Sequence, residues 1–215
     1  MEHSRDYHDY VFKKGKFIGR FEEMYRYSSE IPWHQNKTAY WIFSDIDIAI
    51  LEHFKFGSIC DIGCGLGYFT NRLYKELNFR VNRPKVTGVD ISPAAIEKAQ
   101  SLFPQIRFVR GDSLKRESLP KEKFDLVVAK ETLWYVCNAL EGFLQNVLCM
   151  VKNDGLFYVS QSFPREKKWV GQEVIDSPQT LKNILAKYTA PIHYCVEYDP
   201  LGNERPLIHF LGRKC

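Results

Sequence analysis

A glycine-rich run between an apolar segment and an amphipathic segment carries the clearest chemical signal in this 215-residue chain. Gly63, Gly65 and Gly67 stand at every second position. Glycine accepts a positive φ and has no Cβ atom, so a ligand can approach such a backbone closely. The residues that follow have helical apolar spacing, and the N-terminus of that helix would offer unpaired N–H groups. The run therefore predicts a nucleotide-type binding site where a strand turns into a helix.

The spacing distinguishes two kinds of nucleotide site. A dinucleotide fingerprint reads G-x-G-x-x-G, and counted from Gly63 its third glycine would fall on Tyr68. An NAD-dependent dehydrogenase is therefore disfavoured. The chain instead reads D-x-G-x-G-x-G from Asp61. This run resembles the first motif of the class I S-adenosylmethionine-dependent methyltransferases. The resemblance implies that the cofactor contacts Asp61, Gly63, Cys64 and Gly65.

The segments around this run alternate between strand and helix patterns. Further strands are predicted at 85–90, 106–109, 124–129 and 156–161, with helical patterns between them. Such alternation predicts right-handed crossovers and a parallel sheet covered on both faces. Segments 192–198 and 205–212 are typical of an antiparallel hairpin closed by the loop 199–204. The resemblance implies a Rossmann-like α/β sheet of seven strands in the order 3-2-1-4-5-7-6, with strand 7 antiparallel.

The N-terminal segment differs from the rest of the chain in its aromatic content. We interpret residues 1–36 as a helical lid and residues 37–215 as one cofactor-binding catalytic domain. A helix is predicted over residues 37–54, where apolar side chains recur on one face.

Ligands of an open α/β sheet bind beyond the carboxyl ends of its strands, so polar residues at those ends should form one site. Asp90 lies 23 residues after Gly67, an offset suited to an acid that accepts hydrogen bonds from the ribose hydroxyls. Asp112 matches the family acid that receives the adenine amino group. Further predicted cofactor contacts are Ile91, Ser113, Leu114 and Lys130. Ile91 and Leu114 would enclose the adenine, or would belong to the core.

The segment 130–135 occupies the family's fourth motif, where methyl donor and acceptor meet. It lacks the D/N-P-P-Y/F sequence of exocyclic-nitrogen DNA and glutamine methyltransferases, and the chain has no Pro-Cys pair like that of cytosine-C5 enzymes. It is more similar to small-molecule N- and O-methyltransferases, including the NodS-like group. The predicted acceptor contacts are Trp33, His34, Trp134 and Tyr135. Glu131 and His34 are the candidate bases, although Glu131 could support the cofactor and His34 could cap or pack a turn.

Composition and charge limit the remaining possibilities. A net charge of +4 is too small to indicate a nucleic-acid partner, and no apolar run reaches the ~18 residues that span a bilayer. The N-terminus is polar and has no signal-peptide core, which predicts a cytoplasmic protein. The six cysteines include no C-x-x-C pair and lie mostly in apolar runs, so we expect reduced, buried thiols and no metal. Monomer and homodimer both stay open.

The resulting hypothesis is an enzyme that transfers a methyl group from S-adenosylmethionine, with S-adenosylhomocysteine as product. The expected acceptor is an O or N atom of a small polar molecule, for example a sugar or a specialised metabolite. A basic group formed by Lys130, Arg165, Lys167 and Lys168 would suit a phosphate or carboxylate on that molecule, or would be a solvated loop. The alternatives are methylation of RNA or protein, and cofactor binding without turnover.

Overall fold

The computed structural model describes residues 4, 6–13, 16–77, 83–164, 169–198 and 206–215. Its strands are β1 (Phe12–Lys13), β2 (Lys16–Phe17), β3 (Ser58–Ile62), β4 (Lys85–Asp90), β5 (Arg107–Arg110), β6 (Phe124–Lys130), β7 (Val151–Ser162), β8 (Thr189–Tyr198) and β9 (Pro206–Lys214). Its α-helices are α1 (His8–Val11), α2 (Phe21–Tyr27), α3 (Gln35–Thr38), α4 (Ile42–Leu51), α5 (Tyr68–Glu76), α6 (Pro93–Leu102), α7 (Leu140–Leu148) and α8 (Pro178–Leu185). Short 3₁₀ turns cover Pro32–His34, Arg116–Ser118, Leu133–Tyr135 and Cys137–Ala139.

Seven strands form one sheet in the order β5-β4-β3-β6-β7-β9-β8. Strands β3 to β7 pair in parallel, while β9 runs antiparallel to both of its neighbours, β7 and β8. Numbered within the sheet, this order is 3-2-1-4-5-7-6 with a reversed seventh strand. The predicted fold class and strand order are therefore confirmed.

The central strand β6 explains why both faces of the sheet are covered. Its apolar side chains alternate: Val127 packs in a cluster with helices α7 and α8, and Leu126 and Val128 pack with α4 and α5. All three side chains have no exposed surface. A strand buried on both faces needs a continuous apolar run, and the sequence of β6 supplies it.

Two helix boundaries show how far the local sequence determines where a helix begins and ends. Helix α6 begins as predicted, because the Ser92 hydroxyl accepts the N–H of Ala95 at 3.1 Å and Pro93 stands at the first helical position. The single helix predicted over 37–54 is wrong. The chain forms α3 and α4 instead, separated at Trp41, whose ψ of 157° is extended. The Ala39 carbonyl, freed by this break, accepts a hydrogen bond from the buried Arg72.

The described part of the N-terminal segment is tied to the sheet domain by side-chain hydrogen bonds. Glu22 accepts the Ser92 hydroxyl at 2.6 Å and the Ala94 N–H at 2.9 Å, which places a carboxylate at the N-terminus of α6. Lys98 donates to the carbonyl of Tyr25. The division at residue 36 stays a prediction, and these contacts cross it.

Some expectations fall outside the described residues, namely the loop 199–204 and the basic residues Arg165, Lys167 and Lys168. Within the described ranges, no helix has the length and apolar character to cross a bilayer. In that same part of the chain, no group of His, Cys, Asp and Glu side chains is arranged to hold a metal ion. Of the six free cysteines, three are buried, Cys195 is half-buried, and Cys149 and Cys215 are exposed, so the expectation of buried thiols is wrong for these two and only partly met by Cys195.

Candidate active site

A cavity of about 970 Å³ opens at the carboxyl ends of the central parallel strands. The glycine turn after β3, the ends of β4, β5 and β6, and the N-terminal segment all contribute to its lining. Asp61, Asp90, Asp112 and Glu131 lie on this one lining. The structure therefore brings the predicted strand-end acids together on one side of the sheet.

The backbone conformation of the turn requires glycine. Gly63, Gly65 and Gly67 have φ values of 75°, 53° and 79°, a region that side-chain-bearing residues rarely adopt. The N–H groups of Gly63 and Cys64 both donate to the carbonyl of Val89, at 2.8 and 3.0 Å. Gly63 and Cys64 line the cavity, and the thiol of Cys64 is neutral because burial raises its pKa.

Gly65 is covered by side chains of the N-terminal segment. A side chain at this position would enter the part of the cavity that Gln35 and Tyr25 line. A Cβ atom there would lie 2.5 Å from Nε2 of Gln35 and 2.6 Å from the Tyr25 hydroxyl. The N-terminal segment therefore covers this point of the turn, and Gly65 is not among the lining residues.

Two buried acids flank the turn. The Asp61 carboxylate accepts the Thr70 hydroxyl at 2.6 Å, and burial, the largest influence, raises the pKa of Asp61 to about 7. Asp90 accepts the N–H of Gly65 on one oxygen and that of Ser92 on the other, both at 2.9 Å. Burial also raises the pKa of Asp90. Both acids therefore sit where a cationic or hydroxyl-bearing ligand would compensate for their lost hydration.

The next strand end supplies an acid between apolar side chains. Asp112 accepts the N–H of Leu114 at 3.0 Å and, like Ser113, lines the cavity. Ile91 and Leu114 also line it, and they are 45% and 41% exposed although they are large and apolar. Exposed apolar side chains on two loops of one cavity provide two faces between which a flat ring would be shielded from water.

Lys130 belongs to a buried polar network that joins four elements. Its ammonium lies 2.5 Å from Oδ2 of Asp47 on α4 and 5.1 Å from the ring centre of Phe69. The other oxygen of Asp47 accepts the Tyr158 hydroxyl at 2.7 Å and lies 2.8 Å from Nδ1 of His209. Burial opposes the charge on Asp47, but the Lys130 ammonium and the His209 ring hold the pKa of Asp47 below its usual value. Lys130 lines the cavity with its charge already paired.

Glu131 is held in a strained conformation at the end of β6. Its φ of 52° is in the left-handed region, which is unusual for a residue with a long side chain. Its carboxylate accepts hydrogen bonds from the N–H of Ser162 at 2.9 Å, from the hydroxyl of Ser162 at 2.8 Å and from the amide of Gln161 at 2.9 Å. Burial raises the pKa of Glu131, whereas Lys130 and the Ser162 hydrogen bonds lower it. This carboxylate is therefore fixed in place against the cavity.

Aromatic side chains close the other side of the cavity. Tyr7, Phe17, Phe21, Tyr25, Trp33 and Tyr135 line it, and we call them the aromatic roof. Tyr135 lies 5.1 Å from Phe21 and 5.7 Å from Trp33 between ring centres. Trp33 and His34 have φ values of 51° and 48°, so two successive residues are left-handed where the roof turns toward α3. Both line the cavity, and their contact with an acceptor stays a prediction.

Trp134 is not brought to the site. Its indole N–H donates to the Ser162 carbonyl at 2.8 Å, and its ring packs edge-on against Phe163 and Trp169. It is absent from the cavity lining. Successive side chains of a 3₁₀ turn point about 120° apart, so Tyr135 can face the cavity while Trp134 faces the core. The structure therefore does not place the Trp134 side chain at the predicted acceptor site.

The sequence reasoning missed Tyr25, Gln35 and Asp47. Tyr25 and Gln35 lie in the segment interpreted as an acceptor lid, and no motif connects them with the glycine turn. Asp47 did leave a signal, because it interrupts an apolar helix face on which Phe43 and Ile50 stand four and three residues away. An acid on a buried face needs a partner, although the sequence alone does not identify that partner.

Curated proteins resemble part of this chain. Trans-aconitate 2-methyltransferase of Escherichia coli O139:H28 (strain E24377A / ETEC) is 31% identical over 127 residues, covering 55% of this chain and 47% of that protein. The enzyme of the same name from Enterobacter sp. (strain 638) is 33% identical over 101 residues, which cover 47% of this chain and 37% of that one. The chain spans about half the length, or less, of these curated relatives.

Solved structures share the fold at low sequence identity. N-methyltransferase NodS from Bradyrhizobium japonicum WM9, in complex with S-adenosyl-L-homocysteine, superposes with a TM-score of 0.65 at 18% identity, covering 86% of this chain and 93% of that one. A SAM-dependent methyltransferase from Aquifex aeolicus gives a TM-score of 0.67 at 16% identity, over 87% and 98% of the two chains. Residues 54–199 match the family described as "Methyltransferase domain". Since this match covers most of the sheet and the whole glycine turn, the chain belongs to the methyltransferase-domain family.

Proposed function

We propose that this protein transfers the methyl group of S-adenosylmethionine to an O or N atom of a small polar acceptor, such as a sugar or a specialised metabolite. S-adenosylmethionine is the methyl donor of the family to which the chain belongs. One observation carries the proposal. The glycine turn and its acids form one wall of a cavity whose other wall has a fixed carboxylate, Glu131, beneath an aromatic roof. A cavity of about 970 Å³ has room for both a nucleoside cofactor and a small acceptor.

The residues of the first wall fit such a cofactor. Asp90 is a buried carboxylate beside the turn and suits the ribose hydroxyls, which donate hydrogen bonds. Ile91 and Leu114 offer apolar faces for the adenine ring, and Asp112 offers an acceptor for its amino group. Burial raises the pKa of Asp61, and a positively charged group at the amino-acid end would stabilise its ionised form.

Methyl transfer asks three things of this chain. The bound cofactor supplies a methyl group that its sulfonium already activates. The protein must hold the acceptor atom in line with that methyl group, exclude water, and receive a proton where the acceptor carries one. The aromatic roof supplies the apolar side chains that this exclusion of water needs. In this proposal Glu131 receives the proton, and two observations support that role: three hydrogen bonds fix its carboxylate, and burial raises its pKa.

The charges of the described lining favour an acceptor that is neutral or cationic. Lys130 is the one lysine or arginine among those residues, and its ammonium is paired with Asp47. Glu131 would repel an acceptor carboxylate or phosphate close to it. The expectation that Lys130 binds an anionic acceptor is therefore not supported by its surroundings.

A direct test combines cofactor binding with turnover. The purified protein is titrated with S-adenosylhomocysteine, and then incubated with S-adenosylmethionine and fractions of a metabolite extract. We expect S-adenosylhomocysteine to bind with micromolar affinity, and to be released as product with particular small-molecule fractions. Binding without release from any fraction would instead favour a cofactor-binding protein. Release that depends only on RNA or protein fractions would favour a macromolecular acceptor.

Asp90→Ala should weaken the binding of S-adenosylhomocysteine by about 1–3 kcal/mol, because a buried acceptor for the ribose hydroxyls is lost. The matched control is Asp125→Ala. Asp125 also accepts two backbone N–H groups, those of Gly57 and Ser58. It does so at the amino ends of the parallel strands, on the far side of the sheet from the cavity at their carboxyl ends. Calorimetric titration of both variants should show weaker binding only for Asp90→Ala. Equal affinities in the two variants would remove Asp90 from the ribose site.

Glu131→Gln should lower the turnover number by about 100-fold or more if Glu131 receives the acceptor's proton. The substitution keeps the size of the side chain, so affinity for S-adenosylhomocysteine should change less than about threefold. The turnover number is measured with the metabolite fraction that supports turnover. The affinity is measured by titrating the purified variant with S-adenosylhomocysteine. A loss of cofactor affinity as large as the loss of turnover would mean that Glu131 supports the cofactor and does not serve as the base.

A further inference from the structure

Two side chains of the N-terminal segment form a polar contact on the glycine turn. Gln35 accepts the backbone N–H of Leu66 through Oε1 at 2.8 Å, and its Nε2 donates to the Tyr25 hydroxyl at 2.9 Å. Both side chains line the cavity, and both would be within 2.6 Å of a Cβ atom on Gly65. The contact therefore lies directly on the backbone that the cofactor must approach.

This pair has hydrogen-bond donors to spare. An amide NH₂ carries two N–H bonds, and Gln35 uses one of them on the Tyr25 hydroxyl. That hydroxyl accepts this bond and still carries its own proton, for which no acceptor is found among the described residues. Burial, followed by the charge of Asp90, raises the pKa of the Tyr25 phenol, so the hydroxyl stays protonated. One N–H and one O–H are thus left for a ligand.

The charges of the cavity indicate which ligand group these donors suit. Four acids line the described part of the cavity, while the ammonium of Lys130 is committed to Asp47. His8 lies beside Asp6, with Nδ1 2.9 Å from the carboxylate. Among the described residues, neutral N–H and O–H donors are therefore the groups left to hold an anion that enters the cavity. S-adenosylmethionine carries a single anionic group, the carboxylate of its amino-acid end.

We propose that the Tyr25 hydroxyl and the free N–H of Gln35 bind the α-carboxylate of the cofactor. The proposal rests on the proposed function, since it assigns residues to that same cofactor. It also changes the role of the N-terminal segment, which becomes part of the cofactor site and not only a cover for the acceptor. The hydrogen bond from Leu66 sets the position of Gln35, so the segment and the glycine turn together define the carboxylate site.

Two nucleoside ligands distinguish the contribution of this contact to binding from that of the rest of the site. S-adenosylhomocysteine carries the amino acid, whereas 5′-methylthioadenosine has the same nucleoside and sulfur without it. Tyr25→Phe removes one oxygen and keeps the ring in the aromatic roof. We expect this substitution to weaken the binding of S-adenosylhomocysteine about tenfold or more and to change that of 5′-methylthioadenosine less than twofold. Calorimetry measures the first ligand, and ligand-observed NMR measures the second.

Further variants complete the experiment. Gln35→Ala should reproduce the selective loss, whereas Tyr27→Phe, on the same helix with Tyr27 41% exposed, should change neither affinity. His34→Ala tests the competing donor in the lining. The proposal is overturned if Tyr25→Phe weakens both ligands equally or neither, or if the selective loss belongs to His34→Ala. An unsubstituted protein that binds neither nucleoside would instead refute the proposed function itself, and this assignment with it.

Discussion

Asp47→Ala is expected to lower the free energy of unfolding by about 3–5 kcal/mol, the range found when one partner of a buried ion pair is removed. Asp47 has no exposed surface and is the common partner of Lys130, Tyr158 and His209. The substitution would leave the Lys130 ammonium without its counter-charge inside the protein. Denaturation by urea, followed by circular dichroism, measures the loss.

The control for this prediction lies two residues earlier on the same helix. The Asp45 side chain is 61% exposed and pairs with Arg72, which keeps Glu76 as a second partner, so Asp45→Ala should cost less than about 1 kcal/mol. Replacing Lys130 by Met in the Asp47→Ala background should restore part of the stability, because the unpaired charge is gone. If the Asp45 and Asp47 variants lost equal free energy of unfolding, the stabilising role of the buried network around Asp47 would be contradicted.

The effect of Asp47 should also depend on pH in a defined direction. Its pKa is lowered on folding, so its ionised form stabilises the native state. That stabilisation is fully present above the unfolded value of 3.8 and declines as the pH falls below it. The difference in stability between the unsubstituted protein and Asp47→Ala should therefore shrink in acid.

Gly65→Val is expected to weaken the binding of S-adenosylhomocysteine by about tenfold or more. A φ of 53° disfavours a β-branched residue by roughly 1–2 kcal/mol, and the new side chain would displace Gln35 and Tyr25. The hydrogen bond from Leu66 to Gln35 would then be lost. Hydrogen exchange at the Leu66 amide should accelerate in the variant, and calorimetry measures the affinity.

Gly142 offers a matched control for that substitution. It lies in α7, and apart from its chain neighbours and the backbone of that helix, no described heavy atom lies within 4 Å of the position that its Cβ would occupy. Gly142→Val makes the same chemical change without a clash, so the affinity for S-adenosylhomocysteine should stay within about twofold. If Gly65→Val also binds normally, the N-terminal segment does not restrict the turn, and the carboxylate site proposed for Tyr25 and Gln35 is weakened.

The sheet and the first wall of the cavity could be predicted because their signals are local. A buried parallel strand such as β6 needs a continuous apolar run, and the turn at Gly63 to Gly67 needs residues that tolerate a positive φ. The acids follow strand ends directly, so the parallel topology alone is enough to bring Asp90 and Asp112 to the same edge.

The rest of the site depends on contacts between distant segments. Asp47 meets His209 across 162 positions of sequence, and Gln35 meets Leu66 across 31. Periodicity places such residues on a face but does not select their partners. The predicted position of the Trp134 side chain differs from the structure for another reason. It lies in a 3₁₀ turn, and the apolar sequence there does not reveal which of three successive side chains faces the ligand.

The position of β9 has a consequence for the order in which the protein matures. This last strand inserts between β7 and β8, and it carries His209 to Asp47 and thus to the neighbourhood of Lys130. During synthesis the glycine turn and the acids of β4 and β5 emerge long before that strand does. Pairings so distant in sequence form slowly, so the electrostatic environment of Lys130 is completed only when the carboxyl-terminal strand closes the sheet.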